Sequence, residues 1–311
     1  MMFDGPSKPV AFDGHGGRVI ANHLGINVID CYYCGYAHQY PLPNQDELDI
    51  YYNTNQFYNQ HSPNNWFATN RYEHENGMWQ AMYDWQIKLL TRRYKNDKYK
   101  FAPYLLDIGA GDGYFMLRWN HTTGYAHGIE PSSEARQMAH YFAKQNIYNN
   151  YKELPRKKYD YIRAALVLEH IADVYTFMRN IHSYLEHDGK VLFIVPNEFN
   201  PLQKIVRYKV GKDWFVQKPH INYFTKHSMA EVLRKNNFEV ITQTGTFPME
   251  AWYLMGKRYI ATPDAATIGQ YCHTKRLQME TVNPRFMFWF YNLGYKLLGW
   301  GRETIIVARK R

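Results

Sequence analysis

The sequence predicts an α/β fold: a seven-stranded, doubly wound sheet preceded by a small β module and a helical lid, with a helical insertion before its last strand. Three observations predict it. First, Tyr104–Tyr114 reads YLLDIGAGDGY, an apolar run ending near Asp107, then three alternating glycines (Gly109, Gly111, Gly113), then the apolar stretch YFMLRW. That is strand, tight turn, helix. Second, YAHGIEPS, about twenty residues on, reads as a second strand ending in an acid, Glu130, the spacing of a βαβ unit. Third, apolar strand-like runs alternate with helical patterns from about residue 100 onward, which predicts a parallel sheet covered on both faces. The 311 residues suffice for such a domain with substantial additions.

Residues 1–45 form the β module. Valines and isoleucines alternate with polar residues through GRVIANHLGINVIDCYYCGYAHQYPLP, the pattern of a hairpin with Gly-rich turns. It carries Cys31-x-x-Cys34, followed by Gly35 and His38, the shape of a zinc knuckle. Structural zinc takes four ligands. Cys31, Cys34 and His38 supply three, and His15, His23 or the Cys272–His273 pair is the fourth. The competing reading packs the cysteines as small hydrophobes without metal.

Residues 46–99 read as a helical lid. DELDIYYNTNQFYNQ is a short helix with early acids, where a helix N-terminus favours them. Tyr51 and Tyr52 either cover a ligand or pack the lid to the core. Helical spacing is clearest from Met78 to Leu90.

The sheet domain spans 100–311. Its expected elements are a strand at 104–108, helix 114–120, strand 125–130, helix 132–144 and a weak strand at 147–151. KKYDYIRAALVLEHIAD supplies the fourth strand and its exit loop, and helix 173–187 follows. GKVLFIVPNEFN is the fifth strand, opened by a turn at His187–Gly189. TKHSMAEVLRKNNFEVITQTG is a helix capped by Thr225 and ended by Asn236–Asn237, then the sixth strand. Residues 248–300 form the helical insertion, and RETIIVARKR is the last strand. The run FMFWFYNLGYKLLGW inside the insertion covers the core, binds a membrane surface or dimerises; core cover is favoured.

Composition narrows the partners. The apolar fraction of 45% is that of a globular chain. An odd cysteine count of three argues against a disulfide scaffold. No apolar run is long enough to span a membrane, and MMFDGPSKPV lacks a signal-peptide core, so the expected location is cytoplasmic. The net charge of +9 points to anionic partners, although the basic residues are scattered.

The Gly-rich turn favours one ligand class. Dinucleotide folds use G-x-G-x-x-G and seat a pyrophosphate on the turn. Here the spacing is G-x-G-x-G, Tyr114 follows Gly113, and Asp107 and Asp112 would oppose an anion. S-adenosylmethionine carries a sulfonium and an ammonium and no phosphate, so acids beside the turn suit it. The glycines admit close backbone approach. Asp107 would face the ammonium and Glu130 the ribose hydroxyls. Methyl transfer then needs an aligned acceptor and, for a hydroxyl or an acidic carbon, a base. Ligands lie at the carboxyl ends of strands, which selects the loops with Glu169 and His170, with Asn197, Glu198 and Asn200, and with Trp214, His220, Asn222 and Tyr223. His170 and His220 are the candidate bases. The loop after the fourth strand, LVLEH, lacks the Pro-Pro-Tyr element of base-amine methylation. No Pro-Cys nucleophile exists for cytosine chemistry. Nucleic acid is therefore disfavoured as acceptor.

LLDIGAGDGYF, GIEPSSEA, LVLEHIAD and GKVLFIVPNEFN resemble class I S-adenosylmethionine-dependent methyltransferases, in the branch with ubiquinone O-methyltransferases and sugar methyltransferases, over about 100–245. The N-terminal CxxCGYAHQYPLP, PNEFNPLQ, KPHINYFT, FPMEAWYLMG, CHTKR and GRETIIVARK resemble a bacterial and phage group of the same class across nearly the whole chain. The layout is also similar to NDP-sugar C-methyltransferases, with a zinc module, a Tyr-containing helix and an EHxxYF-like segment whose His is the base. Here that segment is PHINYF: His220 and Tyr223 match, Pro219 replaces the acid, and the second cysteine pair is missing. The resemblance implies a Rossmann-like methyltransferase sheet. It implies cofactor contacts at Asp107, Gly109, Ala110, Gly111 and Gly113, and at Glu130, Pro131 and Leu166. It implies catalytic roles for His220, Tyr223, His170 and Glu169. The expected function is methyl transfer to a small anionic acceptor, a nucleotide-sugar or glycan unit, with oligomerisation open. The alternatives are methylation of RNA or protein, and a non-catalytic cofactor-binding partner.

Overall fold

The computed structural model describes residues 10–12, 14–43, 48, 66–93, 101–139, 146–218 and 220–311. Tyr51, Tyr52 and Pro219 lie outside the described residues, as does most of the 46–60 segment.

The chain begins with an antiparallel meander of β1 (Val10–Phe12), β2 (His15–His23), β3 (Ile26–Cys31) and β4 (Ala37–Tyr40). Two helices follow, α1 (Trp66–Glu75) and α2 (Gln80–Thr91). The sheet domain opens with β5 (Tyr104–Ile108), α3 (Tyr114–Thr122), β6 (Tyr125–Ile129) and α4 (Ser133–Met138). Of the expected helix 132–144, residues 140–145 lie outside the described residues. The weak strand is β7 (Ile147–Tyr148), and a single 3-10 turn, Tyr151–Glu153, takes the rest of that segment.

β8 (Tyr159–Ala165) leads to α5 (Val174–Tyr184), whose first turn is capped by Asp173 accepting from the Thr176 amide at 2.9 Å. α5 stops three residues before the expected end and passes directly into β9 (Leu185–Pro196). The His187–Gly189 turn is an excursion inside β9. Leu185 pairs with Tyr159 and Lys190 with Tyr161, and the residues between loop out, with Asp188 at φ +62°. α6 (Pro201–Val210) follows, then β10 (Asn222–Tyr223) and α7 (Lys226–Lys235). Thr225 and Ser228 cap α7 reciprocally, and the helix ends at Asn236, with Asn237 at φ +62°. β11 (Phe238–Gly245), α8 (Glu250–Leu254), α9 (Ala265–Val282), α10 (Pro284–Leu298) and β12 (Glu303–Lys310) complete the chain.

The large sheet has the order β11-β12-β9-β8-β5-β6-β7, a doubly wound α/β fold with helices on both faces. Side chains alternate along its strands. Leu106, Ile162, Phe193 and Ile306 pack with Phe177, Met178 and Leu233 on one face. Leu105, Leu192, Ile194 and Val307 pack with Phe115, Met116, Trp119 and Leu90 on the other. The sheet departs from the all-parallel expectation at β12, which runs antiparallel to both neighbours. The reason is the insertion. Its helices leave after Gly245 and return to the same end of the sheet, where the Thr246 amide donates to the Glu303 carbonyl at 3.1 Å, so the chain must run back. Thr304–Ala308 is buried throughout, as befits a strand with neighbours on both edges.

The small sheet is not closed within the first 45 residues. β10 supplies its fifth strand, pairing Asn222 with His38 and Tyr223 with Ala37. Gln39 donates to the carbonyls of Gln217 and His220 at 2.9 and 2.8 Å. These bonds fix the module beside the loops that leave the large sheet.

Candidate functional site

The Gly-rich turn joins β5 to α3. Gly109, Gly111 and Gly113 have φ of +72°, +56° and +79°, a region that costs L side chains about 1–2 kcal/mol. At Gly109 there is also no room: a Cβ would stand 2.5 Å from Cγ2 of Val167. The Gly109 and Ala110 amides donate to the Ile129 carbonyl at 2.8 and 3.0 Å, which pins the turn to β6. Glu130, at the end of β6, accepts from the Gly111 amide through Oε2 and from the Ser132 amide through Oε1, both at 2.9 Å. Burial raises its carboxyl above the usual range, and the two amides pull it back. Pro131 is exposed beside it, and its carbonyl accepts from Arg136 at 2.7 Å.

Asp107 has a partner that sequence reading missed. Arg163, in mid-β8, places Nη1 2.8 Å from Asp107 Oδ1, donates Nε to Gln86 at 2.9 Å, and stands 4.0 Å from the centroid of Phe115. Asp107 is fully buried, and its Oδ2 has no hydrogen-bond partner among the described residues. Burial pushes the Asp107 carboxyl up, and the Arg163 guanidinium opposes that rise. The available signal was a lone arginine in the apolar strand YDYIRAAL, since a buried charge requires a counter-charge.

The Gly-rich turn and Arg163 open onto a cavity of about 260 Å³ at the carboxyl ends of β5, β8 and β9, with Asp107 and Glu130 buried behind its lining. Gly109, Ala110, Asp112, Arg163 and Leu166 line its floor. Leu166 has φ +55°, and its amide is held by the Ile194 carbonyl at 2.8 Å. α1 and α2 supply an aromatic wall. His74 stacks on Tyr114 (centroids 4.1 Å, planes 13° apart) and on Tyr83 (5.6 Å, 14°). Burial lowers the His74 imidazole to about 4, so it is neutral at pH 7. Arg276 and Glu303 complete the lining from the insertion side. The cavity thus offers a flat aromatic surface at one side and both signs of charge at the other.

Three of the four expected catalytic residues come together. Glu169, His170 and His220 bring their side-chain donor atoms within 4.8 Å of one another, and the two imidazoles meet edge to face at 5.1 Å. Asn222 ties their loops together, donating to the carbonyls of Leu168 and Ile171 at 2.9 and 2.7 Å. Glu169 is 1% exposed, and burial pushes its carboxyl up to about 8. Tyr223 stands apart from the three. It is fully buried in β10, facing Phe199 and Phe215. Asn197, Glu198 and Asn200 serve the fold: Asn197 Nδ2 donates to the Gly299 and Gly301 carbonyls, Glu198 accepts from Gln203, and Asn200 caps α6.

In the small sheet, His15, Cys31, Cys34 and His38 form one cluster. His15 Nδ1 lies 3.9 Å from Cys31 Sγ, 3.4 Å from Cys34 Sγ and 3.2 Å from His38 Nε2. Such separations fit four ligands around one tetrahedral ion with bonds near 2.0–2.3 Å. His38 Nδ1 lies 2.7 Å from the Gln39 carbonyl, leaving Nε2 for the cluster. Of the candidates for a fourth ligand, His15 is the one that stands beside Cys31, Cys34 and His38. His23 sits at the far end of β2, and Cys272 and His273 lie on α9, where His273 faces Glu73 at 3.3 Å.

A larger cleft, about 1160 Å³, lies between the small sheet and α6. Its charged lining is Arg18, Lys204, Arg207 and Lys212 against Asp30 and Asp213. Asp213 is committed to Arg207, at 3.0 Å.

A family profile described as a methyltransferase domain matches residues 57–243, more than half of the chain. No curated protein matches. Among solved structures, the chain is similar to an S-adenosylmethionine-dependent methyltransferase from Archaeoglobus fulgidus (15% identity, 76% of this chain, 94% of that chain, TM-score 0.48). It is also similar to magnesium protoporphyrin IX methyltransferase from Synechocystis with S-adenosylhomocysteine bound (11%, 86%, 100%, 0.49). A third is geranyl diphosphate C-methyltransferase from Streptomyces coelicolor (11%, 75%, 80%, 0.45). With this family match over a Gly-rich turn, an acid at the end of the second strand and a cavity at the strand ends, the chain belongs to the methyltransferase-domain family and is an S-adenosylmethionine-dependent methyltransferase.

Proposed function

We propose that the acceptor is a small anionic molecule, a nucleotide-sugar or glycan unit, and that His220 is the base. The basic cleft carries the first part. Four cationic side chains face two acids there, and a cleft of that size and sign suits a phosphorylated or carboxylated ligand better than a neutral one. The Glu169–His170–His220 cluster carries the second, since it places two imidazoles at the carboxyl end of β8.

On the donor side, Glu130 binds the ribose hydroxyls and the His74–Tyr114 wall stacks on the adenine. Arg163 takes the carboxylate of the methionine moiety and Asp112 its ammonium. Asp107 acts through Arg163, whose guanidinium it orients. In the transfer, the acceptor hydroxyl or acidic carbon gives its proton to His220. The freed electron pair attacks the methyl carbon in line with the sulfonium. The carbon–sulfur bond breaks with its electrons left on sulfur, giving S-adenosylhomocysteine. The imidazole then returns the proton to solvent. His15, Cys31, Cys34 and His38 hold a structural zinc ion that clamps the small sheet; zinc in such a site contributes folding energy.

The test incubates the protein with methyl-labelled S-adenosylmethionine and an extract of its host, then separates small anionic metabolites, glycan, nucleic acid and protein. Label is expected in the first two; label in nucleic acid or protein overturns the acceptor. His220→Ala is expected to lower turnover by about 10²–10⁴-fold with cofactor binding intact. Full turnover in that variant removes His220 from the mechanism.

A further inference from the structure

α10 is apolar on both faces, and among the described residues only one face is used by the fold. Met287, Phe288, Tyr291 and Tyr295 are buried, with Phe288 stacked on Trp85 at 4.2 Å. On the other side Phe286, Trp289, Phe290, Leu293 and Leu297 are 53%, 58%, 39%, 39% and 71% exposed. Their spacing of three and four residues draws one stripe along the helix. Val282, at the end of α9, extends it and is 85% exposed. A helix apolar all round ordinarily lies in a core, and a contiguous exposed stripe of large apolar side chains marks an interaction surface.

The charges beside the stripe select the partner. Lys275, Arg285 and Lys296 are the exposed lysines and arginines of α9 and α10. The single acid in these helices, Glu280, is fully buried, where it accepts from Tyr291 at 3.0 Å and lies beside Arg276. A second copy packed on this face would bring two all-basic rims together. An anionic lipid surface complements them. Trp, Phe and Leu along one helix face flanked by Lys and Arg is the composition of a helix lying in a bilayer interface. No helix among the described residues is long and apolar enough to cross a membrane, so the contact is superficial.

We propose that the outer face of α10 docks this enzyme on an anionic membrane surface, with Trp289, Leu293 and Leu297 entering the headgroup region. The proposal is independent of the acceptor's identity.

The experiment is co-sedimentation of the full chain with vesicles of phosphatidylcholine alone and of phosphatidylcholine with phosphatidylglycerol. Binding is expected to the anionic vesicles, falling as salt rises. The variant Trp289→Glu/Leu297→Glu should lose about tenfold or more in partitioning while cofactor affinity stays unchanged, because both side chains are solvent-facing. Lys296→Glu should weaken binding less. No partitioning by the native chain, or equal partitioning by the double variant, overturns the proposal. So does a dimer in light scattering that the double variant converts to monomer, since that assigns the face to a second copy.

Discussion

Replacing Arg163 by methionine should unfold the cofactor site through Asp107 more than through any contact of its own. The pair is 10% and 0% exposed at its side chains, with 2.8 Å between Nη1 and Oδ1. Removing one partner of a buried pair costs about 3–5 kcal/mol, because the remaining charge has neither counter-ion nor water. The loss of the Gln86 hydrogen bond adds about 1 kcal/mol. The loss of the contact with Phe115 adds about another 1 kcal/mol. Against a domain stability of about 5–15 kcal/mol this is a large fraction. The double variant Arg163→Met/Asp107→Asn removes both charges. It should retain only the Gln86 and Phe115 losses, about 2 kcal/mol, and so recover about two thirds of the deficit. Urea unfolding monitored by tryptophan fluorescence measures both. The pH dependence supplies a second check. Without the guanidinium the Asp107 carboxyl rises further, so the folded state keeps a proton that the unfolded chain releases. The deficit of Arg163→Met is therefore largest above that raised pKa and shrinks as pH falls below it. A single variant costing under about 1 kcal/mol, or a double variant no more stable than the single, refutes the assignment of a charge-paired Asp107.

Gly109→Ala places a Cβ at φ +72° and 2.5 Å from Val167, and should weaken cofactor binding by at least about tenfold in calorimetry, about 1.4 kcal/mol; unchanged affinity would show that the turn does not approach the ligand. Purified reduced protein should carry one zinc per chain by metal analysis, and His15→Ala or Cys34→Ser should lose it and melt earlier, whereas His23→Ala should retain it. Less than about a tenth of an equivalent in the native chain removes the metal from the small sheet. Glu169 is held up to about 8 from 4.5 by burial, so the folded state binds its proton more tightly than the unfolded chain. Stability from this group is full below about pH 4.5 and lost as pH rises to about 8. Glu169→Gln should therefore melt higher than the native chain at pH 9 by more than at pH 5; an equal difference at both pH values contradicts a protonated Glu169.

Much of the domain was legible in residues near one another in the chain. The strand–turn–helix at Tyr104–Thr122 needed only an apolar run, three alternating glycines and a second apolar run, and all three glycines have positive φ. Thr225 and Ser228 stand three apart and cap α7 as their types and spacing require. Glu130 is legible as an acid about twenty residues beyond the turn, and it accepts from the Gly111 amide. Such features are local because backbone geometry and side-chain period act over a few residues.

The remaining features depend on which strands become neighbours. Arg163 and Asp107 are 56 positions apart and meet only because β8 pairs beside β5. His15 meets Cys31, Cys34 and His38 because β2 pairs with β3. β12 reverses direction because three helices carry the chain back to the end it left. His220 reaches Glu169 and His170 because β10 closes the small sheet against the loop after β8. On α10, the alternation of buried and exposed aromatics depends on which face Trp85 and β11 occupy; the run FMFWFYNLGYKLL is apolar on every side. Sequence period sets what a segment is, whereas counter-charges, ligand sets and exposed faces are properties of pairs distant in the chain, and those pairs exist only after the sheet order is chosen.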